Sequence, residues 1–182
     1  IKYFVRNIDA GDIDAIVDFT REGHELFLRI DRCRKPVVAR LNGLALGGGA
    51  ELALACDAIV ADQTAALGFP ETGIGIYPGL GGTQRLVKRC GLAVGRYLVL
   101  TGDIVPAARA AELGLVDRIA PAGTSMAAVD ALLERGLVTA GPGAGELARP
   151  DKKTLAPIRA LFSDENTRAM LAGTYRGEGE FA

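Results

Sequence analysis

Residues 35–62 read KPVVARLNGLALGGGAELALACDAIVAD. The first piece, KPVVARLNG, is short, β-branched and bounded by Pro36 and Gly43, which marks a strand. Three glycines, Gly47 to Gly49, then open a helix through AELALAC, and DAIVADQ reads as a second, buried strand. Strands alternating with helices, many of the strands apolar on both faces, predict an α/β architecture with covered sheets. The glycines expose backbone N–H groups at a helix start, where the donors are unpaired and a ligand can come close. A tight, closely packed strand-to-helix turn explains them too, and is the favoured reading of a glycine run taken alone. Glu51 has the same ambiguity, because a carboxylate in the first helical turn is favoured by the dipole whatever else it does.

Upstream, DIDAIVDFTREGHELFLRIDRC (12–33) spaces Ile13, Ile16, Val17, Phe27 and Ile30 as one face of an amphipathic helix, with Asp12 as its N-cap. Downstream, LGFPETGIGIYPGLGG (67–82) reads as a long Gly- and Pro-rich loop leading into a helix, TQRLVKRC. Two more helical stretches, AVGRYLVL and PAARAAELG, precede a strand, VDRIA. The character then changes. MAAVDALLERGLV is helical, GPGAG (141–145) is a flexible break, and KKTLAPIRALF and ENTRAMLAG are shorter helical pieces before a disordered end, TYRGEGEFA. The chain therefore divides into a core, 1–121, and a helical region, 122–182, too short to own a core and expected to pack on the main domain or on another subunit.

At 182 residues, 49% hydrophobic and 24% charged, the chain has the composition of a globular domain. A net charge of −1 and a pI near 5.9 give no electrostatic case for a nucleic-acid or anionic-membrane partner, which leaves small-molecule chemistry. Cys33, Cys56 and Cys90 are odd in number and far apart, and His24 is the only histidine. This argues against a disulfide framework and against a metal site, and for a reducing, cytoplasmic compartment. No stretch approaches the ~20 apolar residues needed to span a bilayer, and IKYFVRNIDAGD lacks the pattern of a signal peptide. A start without methionine, on an apolar run, is expected of a piece of a longer polypeptide.

In GFPETG (68–73), Glu71 follows Pro70 among small and apolar residues, the setting of a carboxylate at a pocket wall or of a loop cap. Glu51 and Glu71, brought together beside backbone N–H groups, would suit proton transfer next to a carbonyl: one activates water or abstracts a proton, the other delivers one, and the N–H groups hold the enolate.

The segments KPVVARLNGLALGGGAELALACDAIVAD, FPETGIGIYPGLGGTQRL and LTGDIVPAARAAELGLVDRI together closely resemble the enoyl-CoA hydratase/isomerase, or crotonase, family over about residues 35–121. The resemblance implies a spiral of ββα turns with two nearly perpendicular sheets, a C-terminal helical region, and homotrimers often paired as hexamers. It implies an acyl-CoA thioester substrate in fatty-acid metabolism, with no cofactor beyond the coenzyme A that the substrate carries. Gly48 then supplies an oxyanion-hole N–H, and Glu51 and Glu71 are the two catalytic glutamates, Glu51 activating water and Glu71 handling the C2 proton. Gly47, Gly49, Phe69, Pro70, Pro78 and Gly79 fall around the substrate, Gly79 beside the water and Phe69 where a bulky ring would reshape the acyl pocket. Both glutamates together favour hydration of a 2-enoyl-CoA, a lyase reaction, over double-bond isomerisation. The family's other oxyanion N–H lies just ahead of a stretch resembling IKYF, so the chain is expected to be the C-terminal portion of a longer or fused hydratase, weak or inactive alone.

Other readings are poorer. GIGIYPG (73–79) follows a loop and lacks the acidic residue that a dinucleotide fold places about 20 residues on. No GK[ST] supports a P-loop, and Ser125 and Ser163 lack a hydrolase setting. His24 reads as structural or surface, and Arg85, Lys88 and Arg89 as a solvated helix face more than as a CoA phosphate site. An isomerase, another acyl-CoA lyase, or a non-catalytic scaffold or RNA-binding relative remains as the alternative.

Overall fold

In the computed structural model, which describes residues 2–136 and 138, six short strands alternate with helices. The strands are β1 (Val38–Leu41), β2 (Leu44–Leu46), β3 (Ala58–Asp62), β4 (Ala66–Gly68), β5 (Ile104–Pro106) and β6 (Arg118–Ala120). The helices are α1 (Lys2–Asp9), α2 (Ile13–Asp31), α3 (Gly48–Leu54), α4 (Gly82–Thr101), α5 (Ala107–Glu112) and α6 (Ser125–Glu134). β1, β3 and β6 form one parallel sheet, with Val38 opposite Ala58 and Val60 opposite Arg118. β2 and β4 pair in parallel in a second sheet, and β5 closes it antiparallel to β4. The chain thus visits the first sheet and then the second, in β1–β2 and again in β3–β4, the step of a ββα spiral.

All five residues of β3 are buried, and their alternation explains why. Ile59 and Ala61 point into the main core with Leu54, Leu67, Phe69, Leu86 and Leu98, while Val60 points the other way, onto Val129 and Leu132 of α6. Helix α6 therefore covers the outer face of the first sheet, so the described residues after 121 pack on the main domain. The break and the helical pieces expected from 141 onward lie outside the described residues.

Asp12 caps α2 as expected, its side chain accepting from the Ala15 N–H. The two helical stretches TQRLVKRC and AVGRYLVL are the halves of α4, separated by Gly91, whose φ of 82° and ψ of 167° break the helical path. The sequence reading needs correction in three places. LAL (44–46) and IVP (104–106) are strands, and the segment 67–82 is not one long loop but completes β4 and then forms a 3₁₀ turn, Pro70–Ile74. The N-terminal run is a helix, α1, which packs on α2 through a cluster of Tyr3, Phe4 and Phe19 rings.

Candidate active site

The three glycines sit where the second sheet hands the chain to α3. Gly47 donates its N–H to the Gly68 carbonyl of β4, and its φ of 54° with ψ of −125° is a conformation that side chains disfavour. A Cβ there would lie 2.8 Å from Glu71 Oε1. The tight turn is what lets a carboxylate from a distant segment rest against the backbone. Gly48 is the first residue of α3, at a position whose N–H has no partner within the helix.

Glu51, on the first turn of α3, is only 2% exposed. Its Oε1 accepts hydrogen bonds from the N–H of Leu80, at 2.7 Å, and of Gly82, at 2.8 Å. Gly82 has to be a glycine, because a Cβ would come within 2.9 Å of Glu51 Oε1 and of Pro78 Cβ. Burial pushes the Glu51 carboxyl up to about 7; the N–H groups of Gly82 and Leu80 oppose the rise, the Glu71 charge adds to it and Arg85 reduces it. Glu71 stands in the 3₁₀ turn that follows β4. Burial raises its carboxyl as well, with its own backbone N–H opposing, and its Oε2 is buried without a hydrogen-bond partner among the described residues.

Both carboxylates line one cavity of about 540 Å³. Of the residues expected at the site, Gly47, Gly48, Glu51, Pro70, Glu71 and Gly79 form its wall, and Gly49, Phe69 and Pro78 do not. Phe69 is 1% exposed and belongs to the hydrophobic core, so its ring shapes the packing beneath the site instead of the cavity surface. Phe4 of α1 and Ile16, Phe19 and Thr20 of α2 complete an apolar side that the sequence reading missed. The spacing of Phe19 and Thr20, three and four residues after Ile16 on one helical face, was the available signal.

The cations are engaged elsewhere. Arg85 pairs with Asp31 at 2.9 Å and donates to the Leu80 carbonyl, which ties α4 to α2, and Arg89 pairs with Asp117. Arg85 and Arg89 are thus paired and half-buried instead of forming a solvated face, and only Lys88 of the three is exposed. His24 is half-buried and donates from Nε2 to the Gly79 carbonyl, at 2.5 Å, across 55 residues of sequence. Arranged this way, an apolar wall, a helix-start N–H and two carboxyls of raised pKa surround one cavity. That suits acid–base chemistry beside a carbonyl.

Comparison with known proteins agrees. The profile of the family described as enoyl-CoA hydratase/isomerase matches residues 10–143. The short-chain-enoyl-CoA hydratase of Clostridium acetobutylicum is 43% identical over 97 residues, 53% of this chain and 37% of the relative. The crotonyl-CoA hydratase of Syntrophomonas wolfei is 41% identical over 116 residues, 64% of this chain and 44% of the relative. The crystal structure of an enoyl-CoA hydratase from Bacillus anthracis superposes with a TM-score of 0.65 at 35% identity, over 67% of this chain and 47% of that one. The chain spans about two-fifths of the length of the two curated relatives, by the 37% and 44% above. The family match begins at residue 10 and does not itself support reading the chain as a C-terminal portion. With more than half of the chain matched by the family profile, and with its fold shared, the chain belongs to the enoyl-CoA hydratase/isomerase family.

Proposed function

We propose that the whole protein is an enoyl-CoA hydratase, a lyase of fatty-acid and acyl-CoA metabolism that adds water across the C2–C3 double bond of a 2-enoyl-CoA. The observation that carries the proposal is the pair Glu51 and Glu71 on the wall of one cavity, with Gly48 at the adjoining helix start. Glu51 takes a proton from water as the water oxygen bonds to C3. The π pair of the double bond becomes the C1–C2 π bond of an enolate as the carbonyl π pair moves onto the thioester oxygen, to which the Gly48 N–H donates, and Glu71 delivers a proton to C2 as the carbonyl re-forms. A carboxyl near 7 is half ionised at neutral pH, as a base for this step needs, and the raised Glu71 keeps its proton longer than a solvated carboxyl would. Gly47, Pro70 and Gly79 line the acyl and water positions, while the buried Phe69 and Pro78 lie off the cavity wall.

Water and the substrate's own coenzyme A suffice, so no metal or other cofactor is assigned. A cytoplasmic setting is consistent with three free cysteines. A homotrimer or hexamer is supported by the exposed apolar side chains Leu44, Tyr97, Leu100 and Ile104 on the second sheet and α4. The test is loss of the conjugated enoyl-thioester absorbance when the full-length protein meets crotonyl-CoA and longer homologues. Turnover abolished by Glu51→Gln and by Glu71→Gln is expected; no turnover at any chain length, or full activity in both variants, contradicts the assignment.

A further inference from the structure

The two N–H groups that hold Glu51 belong to peptides separated by one other, and each is fixed at its carbonyl end by something different. The Gly82 N–H shares its peptide with the Gly81 carbonyl, which accepts the first bonds of α4, from Gln84 at 3.2 Å and Arg85 at 2.9 Å. The helix itself holds that donor. The Leu80 N–H shares its peptide with the Gly79 carbonyl, and there the acceptor's partner among the described residues is a side chain, His24, reaching across from α2. In a planar trans peptide the C=O and N–H point in opposite directions, so donation to the oxygen both fixes the plane and polarises the N–H on its far side. His24, outside the cavity wall and without contact to the reacting atoms, is thus one amide away from Glu51 Oε1.

We propose that His24 is a positioning residue for Glu51, acting through the Gly79–Leu80 peptide: it aims the Leu80 N–H and strengthens it as a donor to the carboxylate. Only Nε2–H donation is required, which both the neutral tautomer protonated at Nε2 and the imidazolium provide. The donation stabilises the ionised form of Glu51, and its loss should move the carboxyl further up. The other charges that face Glu51 are Glu71, which raises it, and Arg85, which lowers it and is anchored by Asp31. Among the described residues neither is hydrogen-bonded to His24; Arg85 donates to the Leu80 carbonyl.

The inference rests on the hydratase reading for its kinetic consequence but not for its spectroscopic one. In the full-length protein, His24→Phe keeps a ring and removes the donor, His24→Gln restores one, and His24→Leu is a smaller second deletion in case the ring does not fit. The protonated-carboxyl infrared band that disappears in Glu51→Gln is titrated in each. His24→Phe or His24→Leu should raise its midpoint by about half a unit or more, with His24→Gln returning it towards the parent. In turnover, kcat should fall about 10-fold with KM nearly unchanged and the acid limb displaced upward, as for a base slightly out of place. A midpoint identical in parent, Phe, Leu and Gln proteins overturns the coupling even if the rate falls. A parent that hydrates nothing overturns the hydratase reading, and the infrared titration still decides the role of His24.

Discussion

Two carboxylates share one cavity, and the chain holds them in opposite ways. Glu51 rides on α3 between the sheets, buried, with one oxygen saturated by the N–H groups of Leu80 and Gly82. Glu71 stands in a short 3₁₀ turn, rests against the bare Cα of Gly47, and keeps a buried oxygen without a partner among the described residues. The first is positioned by donors that favour its ionised form, so that burial takes it only to about 7; the second has burial as the main influence and one local N–H in opposition. The surroundings thus differ for two chemically identical side chains, and the proposed hydration assigns the base role to one and the acid role to the other.

The comparison breaks most visibly if either carboxyl is neutralised. Glu51→Gln and Glu71→Gln should each lower kcat/KM on an enoyl-CoA by about 100- to 10,000-fold, the range of a lost acid–base group; a drop in one alone would mean that the two do not act together. Gly82→Ala places a methyl group 2.9 Å from Glu51 Oε1 and should cost about 100-fold in rate by moving the base, while leaving Glu71 untouched. Steady-state kinetics of this variant sharpen the claim that Glu51 is placed by its glycine neighbours. Gly47→Ala does the converse, crowding Glu71 at 2.8 Å in a strained conformation, and should destabilise the fold by about 1–3 kcal/mol in denaturant unfolding.

A smaller effect, of opposite sign, comes from Glu51 itself. Its folded-state value near 7 lies above the ordinary 4.5, so the contribution of this group to stability is fully present below about 4.5 and is lost as pH rises through 7 and the buried carboxyl is forced to ionise. Glu51→Gln removes that cost. Its thermal unfolding should show a gain of about 2 kcal/mol at pH 8 that disappears by pH 4; a variant less stable than the parent at pH 8 would contradict a burial-raised carboxyl.

Much of this arrangement is legible in the amino-acid sequence. The β-branched run before Gly43, the glycine run and the two-sided strand AIVAD point to their elements because each has a composition that only one local structure suits. Likewise Glu51 and Glu71 could be named, since a carboxylate among glycines or after a proline in an apolar segment is conspicuous. LAL and IVP could not, because three residues hold no period; what makes them strands is pairing with β4, where Leu46 meets Gly68 and Ile104 meets the same Gly68. Phe4 and Phe19 were hidden for a related reason: an apolar residue on an amphipathic helix looks the same whether it faces a core or a cavity. His24 carried no local signal at all, since its partner carbonyl is 55 residues away.

The proposed hydration has Glu51 as its base and depends on the ionisation of that carboxyl near 7. It is tested most directly by the pH dependence of kcat/KM for crotonyl-CoA hydration by the full-length protein between pH 4 and 9. An acid limb centred at about 7 is the predicted result, from the buried carboxyl on α3. A limb near 4.5, the ordinary value, or a rate independent of pH across this range, would contradict it.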